Sequence, residues 1–316
     1  LHRVVEQSSR GSVVTSPNYA AIRPTARRID CTEDDYFADN VGESAPTLNQ
    51  STAKTMLNQS PAHAWLQHPK GGGKRRRTTE AMTNGSLVHS LLLDGGKGLT
   101  VLDYPDYRTK AAQAARDAAI AARSTPVLGC RLDEARWTTK VIGDKLRARG
   151  VDLQSPHCEP AVKVVWTEPT PYGIIVCRMM ADVVDWDRAI VYDLKTAESA
   201  KPDRFGRTAL EYGYDIQAHV YPRALDLLVP ELAGRWQFRW IVTELEEPHA
   251  VTIARPGGEL GQVGRQRWAD ACTDWARCMK ENRWPEYADG EVELSLPPWD
   301  VHRVLEGEAE RESDAA

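Results

Sequence analysis

Asp182, Asp193 and Lys195 are the residues of this 316-residue chain whose types and spacing could do chemistry together. They lie in Asp182-Val-Val-Asp-Trp-Asp-Arg-Ala-Ile-Val-Tyr-Asp193-Leu-Lys195, two apolar runs around a polar turn, which reads as a β-hairpin. With the turn centred on Asp187-Arg188, Asp182 falls directly opposite Asp193, their β-carbons about 4.5–5.5 Å apart. Lys195, two residues further on, points to the same face. Two carboxylates at that span suit a shared divalent cation. Mg²⁺ prefers oxygen ligands and keeps waters, one of which can become a nucleophile. A lysine beside it can orient or deprotonate that water and steady charge on a phosphate. The alternative is an ordinary surface hairpin. Val183, Val184, Ile190, Val191 and Leu194 argue instead for an interior one, where clustered charges need partners or a metal.

Further candidates lie on other elements. Leu210, Tyr214, Gln217, Tyr221, Leu225 and Leu228 form one stripe of a helix predicted over 208–228. A glutamine in such a stripe needs a hydrogen-bond partner. Gln217 could hold the lysine or a phosphate, or be a partly exposed residue beside two core tyrosines. His89, on a helix rich in leucine and valine, is either a core histidine or a ligand. Arg178, on the strand leading to Asp182, could contact phosphate or pair with a carboxylate. Glu159 is a further acid or a strand-edge charge. The Gly-rich loop holding Lys70, Lys74, Arg75, Arg76 and Arg77 offers DNA-backbone contacts or is a solvated connector. It is not a Walker A loop: the upstream glycine is missing, and Arg75 stands where Ser or Thr is required.

The elements that must position these residues follow from the patterning. Residues 1–44 are polar and aperiodic and read as a flexible arm. A domain over 45–298 starts with helices: one capped by Ser51, one opened by Ser60-Pro61, one capped by Asn84 and ended by Gly95-Gly96, and two more near 108–123 and 133–149. Period-two runs follow at 161–167, 174–184 and 189–196. After the 208–228 helix come strands at 236–243 and 249–254 and a helix over 259–282. Residues 299–316 are an acidic tail. The fold class expected is α/β with one mixed central sheet.

Composition narrows the function classes. A net charge of −5 argues against coating nucleic acid by bulk electrostatics, but not against a local basic groove. The six cysteines make no CxxC pair and no zinc pattern, and read as isolated reduced thiols. No apolar run approaches a membrane span and the first residues lack a secretion signal, so a cytoplasmic protein with no membrane partner is expected.

At the hairpin the chain resembles PD-(D/E)XK nucleases, with Asp182 as first acid and Asp193-Leu194-Lys195 as the D-x-K. Tyr214-Asp-Ile-Gln217-Ala-His-Val-Tyr221 resembles the Y-x-x-Q-x-x-x-Y helix of RecB-like and lambda-exonuclease-like enzymes. Ser60-Pro61-Ala62-His63 and the segment Gly85 to Leu93 resemble the RecE (exonuclease VIII) branch. The matches keep their order over about residues 50 to 250. The resemblance implies a restriction-endonuclease-like core, its mixed sheet flanked by helices. It implies a Mg²⁺-dependent 5′-to-3′ exonuclease on double-stranded DNA ends, leaving 3′ overhangs for recombination in phages and prophages. It implies a ring-shaped homo-oligomer and a single-strand annealing protein as partner. His89 takes the place of a metal-site histidine, with Mn²⁺ a second candidate ion. Leu194 would offer its backbone carbonyl to the metal, and Gln217 and Tyr221 would join the catalytic set. Other readings are a RecB-like enzyme or endonuclease of the same superfamily, or a non-catalytic DNA-binding protein on the same fold. An iron–sulfur nuclease would need four suitably spaced cysteines, which the chain lacks.

Overall fold

The computed structural model describes residues 23–73, 80–122, 124–296, 298 and 301. The period-two runs form a meander of β4 (Cys158–Thr170), β5 (Gly173–Asp185) and β6 (Ile190–Thr196). β7 (Gln237–Thr243) lies parallel to β6, and β8 (Val251–Ala254) antiparallel to β7. β1 (Ala26–Arg28) closes the other edge against β4, giving the order β1-β4-β5-β6-β7-β8. The single parallel pair requires a crossover. α7 (Pro202–Glu211) and α8 (Tyr214–Leu228) supply it.

One sheet face carries Trp166, Val184, Val191 and Trp240. It packs against Ile216, Val220 and Leu225 of α8 and Trp268 and Trp275 of α9 (Gly258–Glu281), with α2 (Gln50–Asn58) and α3 (Pro61–Gln67) beside them. The other face carries Val183, Tyr192, Leu194 and Ile241. It lies under α4 (Glu80–Asp94) and α6 (Gly129–Arg147). A small parallel sheet, β2 (Leu99–Leu102) and β3 (Thr125–Leu128), is joined through α5 (Lys110–Ala121). The chain divides into two units, Leu1–Trp284, which holds every element named here, and Pro285–Ala316. All six cysteines are free. Among the described residues no helix is long and apolar enough to cross a membrane.

Several expectations are corrected. The 208–228 helix is two helices. Gly213 adopts φ +70°, which breaks the chain between α7 and α8 and leaves Leu210 exposed, off the stripe. α2 is capped by Asn49, which accepts from the Thr52 N–H, and Ser51 lies inside it. α4 begins at Glu80, so Asn84 is interior. Ser60 and Pro61 open α3 as expected. Residues 23–44 are not an arm. β1 pairs with β4, and α1 (Glu33–Phe37), capped by Thr32, buries Tyr36, while Ile29 and Val41 pack with Val165. Residues 1–22, and the acidic tail apart from Val301, lie outside the described residues.

Candidate active site

The hairpin register is the one the sequence implies: Val183 faces Tyr192, Val184 faces Val191 and Asp185 faces Ile190. The ladder ends at Val183–Tyr192, one pair short of Asp182 and Asp193. Beyond that point β5 stays with β4 while β6 continues along β7. In this gap the Leu194 N–H donates 2.8 Å to Asp182 Oδ2 in place of a ladder bond. In a strand, a residue's N–H and C=O point to the same side, so the Leu194 carbonyl also faces the gap.

Asp193 is buried. Its Oδ2 lies 2.5 Å from Lys195 Nζ, and Gln217 Nε2 donates to its Oδ1 and, at 2.9 Å, to Tyr221 Oη. Gln217 therefore holds the Asp193 carboxylate rather than Lys195. Tyr214 completes this side, its ring centroid 4.5 Å from the Lys195 ammonium. On the other side His89 Nε2 lies 3.0 Å from Asp182 Oδ2. The structure thus brings together His89, Asp182, Asp193, Leu194, Lys195, Gln217 and Tyr221.

Their electrostatics separate the two acids. Burial pushes the Asp193 carboxyl up to about 7 against the pull of Lys195, and the Asp182 charge adds to the rise. Asp182 feels the same burial, but the His89 hydrogen bond, the charges of His89 and Lys195, and the Leu194 N–H outweigh it and lower its pKa. Burial works to lower His89 and Lys195, yet the neighbouring aspartates raise both. Divergent titration of paired groups inside a cleft marks functional sites.

α4 positions His89 through a contact that sequence reasoning missed. A Cβ on Gly85 would stand 2.7 Å from Thr196 Oγ1, so glycine lets α4 close on the Thr196 side chain at the end of β6. Gly85 and His89 are one helical turn apart on one face. The signal was a glycine inside a helix-forming run.

Other candidates lie elsewhere. Arg178 does not reach solvent or DNA: it is 2% exposed and donates to Asp39 Oδ1 at 2.6 Å and to Thr47 O at 3.0 Å. β-sheet alternation turns it to the face covered by α1, and the carboxylate it pairs with comes from a segment read as an arm. Glu159 pairs with Arg28 and accepts from Trp186 Nε1 at 3.0 Å, an edge contact. Lys70 is drawn to Asp39, 3.4 Å away, and to the Glu43 carbonyl. Lys74, Arg75, Arg76 and Arg77 lie outside the described residues.

Among the described residues no three His, Cys, Asp or Glu side chains could hold a metal ion by themselves. His89 and Asp182 are instead hydrogen-bonded to each other. The donor set still suits a hard cation. Gln217 Oε1 is a buried oxygen without a hydrogen-bond partner, and Asp193 Oδ2 is a buried carboxylate oxygen that faces the Lys195 ammonium. Mg²⁺ typically takes one or two carboxylates and fills its remaining positions with other oxygens and water.

Residues 162–294 match a PDDEXK-like domain of unknown function, DUF3799. That span holds every clustered residue except His89. A candidate exonuclease from Eubacterium rectale is similar over 86% of this chain and 98% of its own, at 13% identity and a TM-score of 0.56. A phage-related exonuclease from Haemophilus somnus 129PT is similar over 75% and 96%, at 13% identity and a TM-score of 0.30. No curated protein matches the chain. The domain match, the Eubacterium structure and the six-stranded mixed sheet flanked by helices give one fold, an α/β PD-(D/E)XK core.

Proposed function

We propose that this protein is a divalent-metal-dependent deoxyribonuclease, hydrolysing phosphodiester bonds where β5 and β6 part. The observation that carries this reading is the meeting of Asp182, Asp193 and Lys195 in that gap, with Gln217 and His89 on either side. Asp182, Asp193 and the Leu194 carbonyl would hold the cation, with His89 at the rim. When bound, it supplies Lewis-acid polarisation of a phosphoryl oxygen and a nucleophile at neutral pH.

The chain's own residues do the rest. Gln217 fixes the Asp193 carboxylate, which keeps Oδ2 turned to Lys195. Lys195 is held as an ammonium by the two aspartates, so it donates to the phosphate and steadies its developing charge rather than acting as a base. The ring of Tyr214 supports that ammonium from its face. The finer reading, 5′-to-3′ digestion of duplex ends with Mg²⁺, a ring oligomer and a single-strand annealing partner, rests on the RecE-like motifs around His89 and Gln217.

The test uses linear duplex labelled at either end and covalently closed circles, with Mg²⁺ or Mn²⁺. Loss of 5′ label as mononucleotides supports the exonuclease, and cutting of circles would make it an endonuclease. Asp193→Ala and Lys195→Ala should abolish cleavage while each variant keeps the native circular-dichroism spectrum. Substantial activity in either variant would remove the assignment.

A further inference from the structure

A groove of about 880 Å³ opens from Asp182 and His89 between α4 and α1. Small-molecule sites typically span about 300–1,000 Å³ and are mostly apolar. The walls here are Leu87, Leu93, Leu99, Pro160 and Met180. The charged side chains on its rim are mainly acidic: Glu33 and Asp34 in the first turn of α1 and Asp94 at the end of α4, against Lys97. Such a rim repels a phosphate, and such walls suit a flat, neutral, largely apolar group.

Phe37 stands in the same groove with half its surface exposed, at 52%. The structure holds this exposed ring firmly. Its neighbour Tyr36 is buried and meets it edge to face at 5.5 Å. The Arg178 guanidinium lies 5.2 Å from the Tyr36 centroid and is pinned by buried Asp39. Asp39 also accepts from the Thr47 N–H and hydroxyl and lies 3.6 Å from His68. This buried ionic network, which has no part in the chemistry at Lys195, fixes α1 and presents an aromatic face to the groove that Asp182 also lines.

We infer that the groove takes an unstacked nucleobase of the strand being cut, stacked on Phe37, while the backbone stays at Asp182 and Asp193. The inference rests on the nuclease reading for the identity of the occupant. An aromatic face accepts any base, so Phe37 positions the terminal nucleotide without reading its sequence. The base must leave its pair to enter, which makes a frayed or single-stranded end the form that the site engages.

The experiment pairs Phe37→Ala and Phe37→Trp with oligonucleotides carrying 2-aminopurine or an abasic residue at each of the terminal positions. In EDTA, where cleavage is off, 2-aminopurine at one position should be quenched on binding by the wild type and by Phe37→Trp but not by Phe37→Ala. With Mn²⁺, removing that base should raise KM about fivefold to about a hundredfold in the wild type. The same removal should cost little further in Phe37→Ala, because one contact cannot be lost twice. An abasic penalty equal in wild type and Phe37→Ala, or equal quenching in both, would overturn the inference while leaving the nuclease reading intact. Absence of all cleavage by the wild type would sink the nuclease reading, and the quenching series would still decide the groove.

Discussion

Gly85 is the position where one methyl group tests whether α4 sets the chemistry. A Cβ there would meet Thr196 Oγ1 at 2.7 Å, whereas ordinary contact starts at 3.4 Å. Gly85→Ala therefore drives helix and strand apart by about 0.7 Å, the difference between those distances. Rotation of Thr196 gives partial relief, since forcing a β-branched side chain from its preferred well costs about 0.5–1.5 kcal/mol. A shift of that size carried to His89, one turn along, would stretch its 3.0 Å contact with Asp182 to about 3.7 Å, outside hydrogen-bonding reach. Misplacement by on the order of 1 Å costs about 10²-fold in rate, so a fall of about 10- to 100-fold in kcat is expected. The fold should not suffer, because alanine favours a helix interior over glycine by roughly 0.5–1 kcal/mol. The assay is single-turnover cleavage of labelled duplex beside thermal unfolding of each variant. Thr196→Ala added to Gly85→Ala removes the clashing oxygen and should restore most of the rate. Wild-type cleavage by Gly85→Ala alone, or no rescue by Thr196→Ala, would refute the argument.

Arg178→Met should destabilise the protein by about 3–5 kcal/mol, because it strands buried Asp39 without its closest cation. The melting temperature should fall by on the order of 10 °C, with much of the loss recovered in the Asp39→Asn, Arg178→Met pair; an unchanged midpoint in Arg178→Met would contradict the network described above. His219 gives a pH signature. Burial first, and then Arg223 and Arg265, lower its pKa from 6.5 to about 4. The folded state therefore disfavours the cation, so its contribution is constant above the unfolded value of 6.5 and stability is lost as pH falls from there toward 4. His219→Gln should flatten that part of the melting-temperature profile, and identical slopes in both proteins would exclude this cause.

The hairpin was legible because its information is local. Alternating side chains and a polar turn fix a strand register within fourteen residues, so the pairing of Val183 with Tyr192 and of Val184 with Val191 follows from spacing alone, while the expected pairing of Asp182 with Asp193 lies just past the end of the ladder. The Gln217 helix was legible as a face, but its break was not, because Gly213 reads equally as a tolerated glycine within a helix or as its end. The extent of the strands was underestimated in β4, whose prolines and glutamates sit near the ends of a strand that pairing nevertheless carries from Cys158 to Thr170.

What the sequence determined by itself was the chemistry on offer: two carboxylates and an ammonium in one interior hairpin, with a histidine on a helix upstream and a glutamine on a helix downstream. Tertiary structure decided what each of them touches. Arg178 could serve a phosphate or a carboxylate until the turn after α1 supplied Asp39 from 139 residues away. His89 could be core or site until the Gly85 contact set α4 against β6. The parting of β5 and β6, which frees Asp182 and the Leu194 backbone from the ladder, depends on β6 pairing with β7, a strand separated from it by two helices. Spacing encodes direction along a strand or helix, whereas these choices depend on which distant surface arrives to bury the group, and a charge or hydrogen bond gains its meaning only from that neighbour.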